Sequence, residues 1–112
     1  MALRLVSLDG RTDIRLDRVV VVVGRHLWCD VRIASPRISR RHCCLTVSPD
    51  EVLVRDLGST NGTRINGLRV DHGVLRPGDE LSIAQCRYHL QGQPGSSAGT
   101  SRGSPPAWQR AE

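Results

Sequence analysis

The apolar residues of this chain come in runs too short and too often β-branched for anything but strands. They read L-R-L-V-S (3–7), I-R-L-D (14–17), V-V-V-V-V (19–23), V-R-I (31–33), C-C-L-T-V (43–47), V-L-V-R-D (52–56), T-R-I-N (63–66), L-S-I-A (81–84) and C-R-Y-H-L (86–90). Several alternate at period two, which puts every second side chain on one buried face. Turn signals separate them: D-G at 9–10, S-P-D at 48–50, N-G at 61–62 and 66–67, and R-P-G-D at 76–79. No amphipathic helix of useful length fits between these breaks. The pattern predicts an all-β sandwich or barrel. With no Phe and a single Tyr, its core has to be built from Val, Leu and Ile.

A chain of 112 residues is one domain at most. The ordered part is expected to span 1–91. From 92 to 112 the composition shifts to Gly, Ser, Pro and Ala, which cannot bury enough apolar surface to order itself. Trp108 reads as a chance aromatic in that tail. No apolar run reaches the length of a membrane span, and the first residues lack a signal peptide's apolar core. No membrane partner and a cytoplasmic location are the expectations. Cys29, Cys43, Cys44 and Cys86 form no C-x-x-C pair, and Cys43 and Cys44 point to opposite faces of a strand. Reduced, buried thiols are expected rather than a metal site. The net charge is +5, and all sixteen basic residues are Arg. Such a balance suits an anionic partner without choosing among nucleic acid, acidic membrane and phosphorylated protein.

Four segments carry chemistry: Gly24-Arg25 closing the valine run, S-R-R-H from Ser39 to His42, G-S-T-N-G-T from Gly58 to Thr63, and L-R-P-G-D from Leu75 to Asp79. Taken singly, Arg25 is a surface charge and Asn61-Gly62 a hairpin turn. In this order, inside an all-β chain, they resemble the forkhead-associated (FHA) domain, from about Leu3 to Leu90. The resemblance implies an FHA-type β-sandwich of about eleven short strands, with binding loops at one end. It implies a non-catalytic adaptor in Ser/Thr kinase signalling that recognises phosphothreonine in extended peptides. The partner is then a phosphothreonine protein or peptide, from a Ser/Thr kinase or its substrate. No cofactor and no metal are expected.

The residues suit that chemistry. A phosphate monoester near neutral pH carries close to two charges and three acceptor oxygens. Holding it takes a guanidinium fork, hydroxyls and free backbone N–H groups. Arg25 offers the fork from a strand end, Ser39 a hydroxyl and an N–H, Arg40 a further charge, and Thr60 a second hydroxyl or N–H. The Asn61 amide has donors and an acceptor for a ligand's main chain, the role the resemblance implies for it. The resemblance also implies that Arg37, ahead of the serine, helps select the residue three places after the phosphothreonine; an arginine there favours an acidic one. Gly24, His42 and Gly62 are read as support: a close-approaching backbone, a hydrogen-bonding brace and a turn. Arg41 is assigned to solvent, Asp79 to its own turn, and Asn66-Gly67 to an ordinary hairpin.

Three rival readings are weaker. A basic nucleic-acid-binding β domain fits the charge, yet only Trp28 and Tyr88 could stack bases in the ordered part. A cysteine phosphatase needs an Arg six positions after its nucleophile, and Ser35, Pro49, Asp50 and Gly92 stand there instead. No carboxylate pair or metal cluster points to another enzyme. Self-association through a phosphorylated Thr100 is open to a tail of this length, but nothing in G-T-S-R-G marks a good ligand.

Overall fold

The computed structural model describes residues 3–92. Eleven strands form, and among the described residues there is no helix. In chain order they are β1 (Leu3–Ser7), β2 (Ile14–Leu16), β3 (Val20–Gly24), β4 (Val31–Arg32), β5 (Cys43–Val47), β6 (Val52–Asp56), β7 (Thr63–Ile65), β8 (Leu68–Arg69), β9 (His72–Leu75), β10 (Glu80–Ile83) and β11 (Cys86–Gln91). One sheet runs β2-β1-β11-β10-β7-β8 and the other β4-β3-β5-β6-β9. Every pairing is antiparallel except β3 with β4, which is parallel. The expected tail, apart from Gly92, lies outside the described residues, as do Thr100 and Trp108.

Alternation builds the core. Leu3 and Leu5, Leu81 and Ile83, and Tyr88 and Leu90 face inward from one sheet; Val21 and Val23, Leu45, and Val52 and Val54 meet them from the other. Each fully buried Val, Leu or Ile side chain is worth about 1.5–3 kcal/mol, against the chain entropy lost on ordering it. Ile33 and Ile38 are buried too, although they sit in the β4–β5 connection. They pin that long loop to the core and so fix its course.

The strand expected at 81–84 starts one residue earlier, and the valine strand begins at Val20, with Val19 exposed. β8 is the two-residue second arm of the hairpin expected at Asn66-Gly67, whereas β9 has no counterpart among the sequence runs, since His72 and Gly73 break any apolar pattern. Pairing of β9 with β6 makes it a strand, by completing backbone hydrogen bonds that local sequence cannot announce. Asn66 (φ 51°) and Gly67 (φ 86°) form the β7–β8 turn, both central residues left-handed as a twisted two-residue hairpin requires. All four thiols are free. Cys43 and Cys86 are buried as expected, whereas Cys29 and Cys44 are only partly so.

Register decides where the loops meet. Val23 pairs with Cys43, and Cys43 with Asp56, so the end of β3, the start of β5 and the end of β6 share one edge of their sheet. On the facing sheet Thr63 opposes Ile83. The Gly62 carbonyl accepts the Ala84 N–H there, which ties the β6–β7 loop to the β10–β11 turn. The β3–β4, β4–β5 and β6–β7 loops therefore converge at one end of the sandwich.

Candidate functional site

Arg25 follows the last residue of β3 and is exposed. Its amide donates to the Ser39 carbonyl at 3.0 Å, and its side-chain Nε donates to the Ile38 carbonyl at 2.9 Å. The guanidinium thus lies along the β4–β5 loop, held through one nitrogen. Ser39 is fixed from three sides. Its N–H donates to His42 Nδ1 at 3.1 Å, its carbonyl accepts from Arg25, and its hydroxyl accepts the Thr60 N–H at 3.1 Å. The hydroxyl proton of Ser39 and the side chain of Thr60 are what these two residues present outward. Their amides, which the sequence offered as ligand donors, are already spent within the protein.

His42 is fully buried. Because Nδ1 accepts an amide N–H, the proton of the neutral ring sits on Nε2, which donates to the Gly62 carbonyl at 2.8 Å. One imidazole thereby joins the β4–β5 loop to the β6–β7 loop and leaves no ring nitrogen for chemistry. Asn61 makes a second link: its Nδ2 donates to the Arg37 carbonyl at 2.7 Å. The Asn61 oxygen and its other N–H stay available. Gly62 alone of the Asn61-Gly62 pair is left-handed, at φ 89°. At Gly24 a Cβ would sit 2.1 Å from the Arg40 carbonyl oxygen, so only glycine permits that approach.

The β6–β7 loop owes its shape to two residues that sequence reading passed over. Asp56 accepts from the Gly58 and Ser59 amides and from the Ser59 and Thr63 hydroxyls. Ser59, buried, receives the Gly62 N–H on its oxygen. Partial burial pushes the Asp56 carboxyl up, but the hydroxyl and amide donors outweigh it and hold the group below the ordinary value of 3.8. A D-x-x-S pattern at a strand end was the available signal, since short polar side chains there cap loops. Across the sheets, Gln85 Nε2 donates to Ser35 Oγ at 3.0 Å, a link fifty residues apart that no local pattern could show.

The charge at this end is mostly basic: Asp30 is paired with Arg18, and the Asp56 carboxylate is wrapped in its own loop. Among the described residues, Arg25, Arg32, Arg37, Arg40 and Arg41 form no ion pair. A cleft of about 450 Å³ lies between the β3–β4 and β4–β5 loops, lined by Arg25, His26, Arg32, Ser35, Pro36 and Arg40. Arg41 is exposed, and Asp79 receives the Arg76 N–H, closing its own turn. Of the two aromatics that could stack bases, Tyr88 is in the core and Trp28 is 87% exposed on the β3–β4 loop. Rigidly positioned donors beside unneutralised guanidiniums make a seat for a compact, multiply charged anion.

The chain belongs to the FHA domain family, whose profile matches residues 21–84, more than half its length. Glycogen accumulation regulator GarA of Mycobacterium tuberculosis is 39% identical over 72 residues, covering 64% of this chain and 44% of that protein. Proliferation marker protein Ki-67 of Mus musculus is 38% identical over 69 residues, covering 61% of this chain and 2% of that protein. The chain thus spans less than half the length of either relative. Among solved structures, an FHA domain studied for its phosphothreonine-dependent interactions superposes with a TM-score of 0.76 at 26% identity, over 84% of this chain and 99% of that one. The FhaA FHA domain, solved with the intracellular domain of another protein, gives 0.73 at 27% identity, over 80% and 99%. No helix among the described residues is long and apolar enough to cross a membrane.

Proposed function

We propose that residues 1–91 form a non-catalytic module that binds phosphothreonine in extended peptides and couples the output of a Ser/Thr kinase to protein assembly. The observation that carries this reading is the junction of the three loops. Arg25, Ser39, Thr60 and Asn61 come from segments far apart in sequence and are wired to one another at one rim. Arg25 and Arg40 supply charge to the phosphate, and Ser39 and Thr60 supply hydroxyls. Asn61 grips the peptide main chain, while Gly24, His42 and Gly62 hold the loops in place. Family membership and the likeness to domains studied with phosphothreonine partners support the reading. A cytoplasmic setting agrees with four free thiols.

Arg37 sets the sequence preference in this scheme. Its carbonyl accepts from Asn61 and its side chain is exposed, which supports this role. An acidic residue three places after the phosphothreonine is favoured there.

Calorimetry with matched phosphothreonine, phosphoserine and unmodified peptides tests the proposal. Each peptide is made with an acidic or an aliphatic residue at the third following position. Saturable binding of the phosphothreonine forms, at least about tenfold tighter than the unmodified ones, is expected from one or two charge-assisted bonds. Equal affinity for unmodified peptide, or tighter binding of single-stranded DNA at moderate salt, rejects it. Indifference to the third residue rejects the part given to Arg37 alone.

A further inference from the structure

The β3–β4 loop raises two large apolar side chains into solvent. Leu27 is 76% exposed and Trp28 87%, the highest values of any large hydrophobic residue among the described residues. Chance exposure suits a slack loop, and this one is braced. The His26 N–H donates to the Arg40 carbonyl at 3.1 Å, and the Cys29 thiol donates to the same oxygen at 3.1 Å. Within the loop, the Cys29 N–H donates to the His26 carbonyl and the Trp28 N–H to His26 Nδ1, both at 3.1 Å. The His26 and Trp28 rings meet edge to face, with 4.9 Å between centroids. The indole is therefore steadied by its neighbour while most of its surface stays wet. Adjacent, preformed apolar side chains beside a binding rim are the usual anchors of a protein contact.

Trp28 also bounds a cleft of about 440 Å³, with Val22, His26, Cys29, Arg40 and Arg41 around it. Val22 points away from the core between the buried Val21 and Val23 and is only partly covered, so it adds apolar surface to that of the indole. The carboxylate at this cleft, Asp30, is committed to the Arg18 guanidinium and the Val22 N–H. His26 and Arg40 line this cleft and also the one at the loop junction, so the two are neighbours. Direction follows from the phosphothreonine reading, on which this inference rests. Ser39 lies between Arg37 and Arg40 along the β4–β5 loop. With phosphothreonine at Ser39 and the third following residue at Arg37, the residues ahead of the phosphothreonine run toward Arg40 and the Trp28 cleft.

We propose that Trp28 determines specificity on the amino-terminal side of the phosphothreonine: the cleft takes a bulky apolar side chain from a residue ahead of it, packed against the Trp28 indole and Val22. The partner is then a phosphothreonine segment that carries a Leu- or Phe-like residue before the phosphate. The bracing of the loop means that little order has to be gained on binding, so the buried apolar area adds to affinity with a small entropic loss.

The test uses the full chain and phosphothreonine peptides of one background, alanine at every preceding position or, one position at a time, leucine or phenylalanine. Calorimetry should find a position where the bulky residue tightens binding about tenfold over alanine. Trp28→Ala abolishes that gain and leaves the affinity of the all-alanine peptide within about twofold, while Trp28→Phe keeps part of the gain. The Trp28 indole N–H resonance moves far more with the bulky peptide than with the alanine one. No gain at any preceding position, a gain that survives Trp28→Ala, or self-association of the free chain that depends on Trp28 overturns the proposal. Failure of the phosphothreonine reading is distinct: the all-alanine peptide then binds no tighter than its unphosphorylated form, and this inference falls with it.

Discussion

In the proposed scheme Arg25 is decisive for binding and nearly idle for stability. It sits outside the core, its Nε anchored on a loop carbonyl and its charge unneutralised. Arg25→Ala removes one charge-assisted contact to phosphate, about 1.5–3 kcal/mol, so phosphopeptide affinity should fall about ten- to a hundredfold. Tm should move by no more than about 2–4 °C, as for other surface changes. Paired binding and melting titrations check both halves. Asp56 behaves in the opposite way. Its carboxyl is held low in the folded state, so its stabilisation is in force above the unfolded value and is lost as pH falls through the lower folded one. Asp56→Asn should therefore destabilise the protein at pH 7, and the gap from the natural sequence should close below about pH 4. Chemical denaturation at several pH values measures that gap; a constant gap would contradict the assignment.

At the scale of elements, the loops are positioned by strand ends rather than by their own propensities. β3 can deliver Arg25 only because Gly24 lets its end pass beneath the Arg40 carbonyl. Gly24→Ala drives a methyl group into backbone, not into a flexible side chain. The expected cost is about 3 kcal/mol or a Tm drop of about 10 °C or more, with phosphopeptide binding lost alongside. Retained binding with unchanged melting would show that β3 and the β4–β5 loop can part without consequence. The β6–β7 loop has its own internal frame from Asp56 and Ser59, and His42 and Asn61 then lock it to the β4–β5 loop. The elements therefore present a largely preformed surface, which lowers the ordering cost of binding.

For the whole molecule, the site is a property of two sheets closing at one end. A net charge of +5 draws anions in general, and in the proposed scheme the loop junction converts that attraction into a preference for a dianion. Affinity for phosphothreonine peptide should weaken as pH falls through about 6, where the phosphate takes up its second proton. Calorimetry between pH 5 and 7.5 reads this directly, and flat affinity across that range would point to a monoanion or an uncharged ligand. Added salt should weaken binding less than it would for a flat basic surface, because part of the contact is fixed hydrogen bonding.

The sequence by itself determined the all-β class, most strand positions and the residue types at the rim. Period-two alternation and turn chemistry are local, and they survive in every environment the chain can fold into. The hairpin at Asn66-Gly67 was legible for that reason, and β9 was not, since His72 and Gly73 become a strand only by pairing with β6. Only the tertiary structure decided which polar groups remain free. The amides of Ser39 and Thr60 look like ligand donors in the sequence, and the fold spends them on His42 and on Ser39 itself. The first of these bonds is local, three residues along one loop, but the second joins residues twenty-one apart and depends on strand register, which is set by how the two sheets bury their apolar faces against each other.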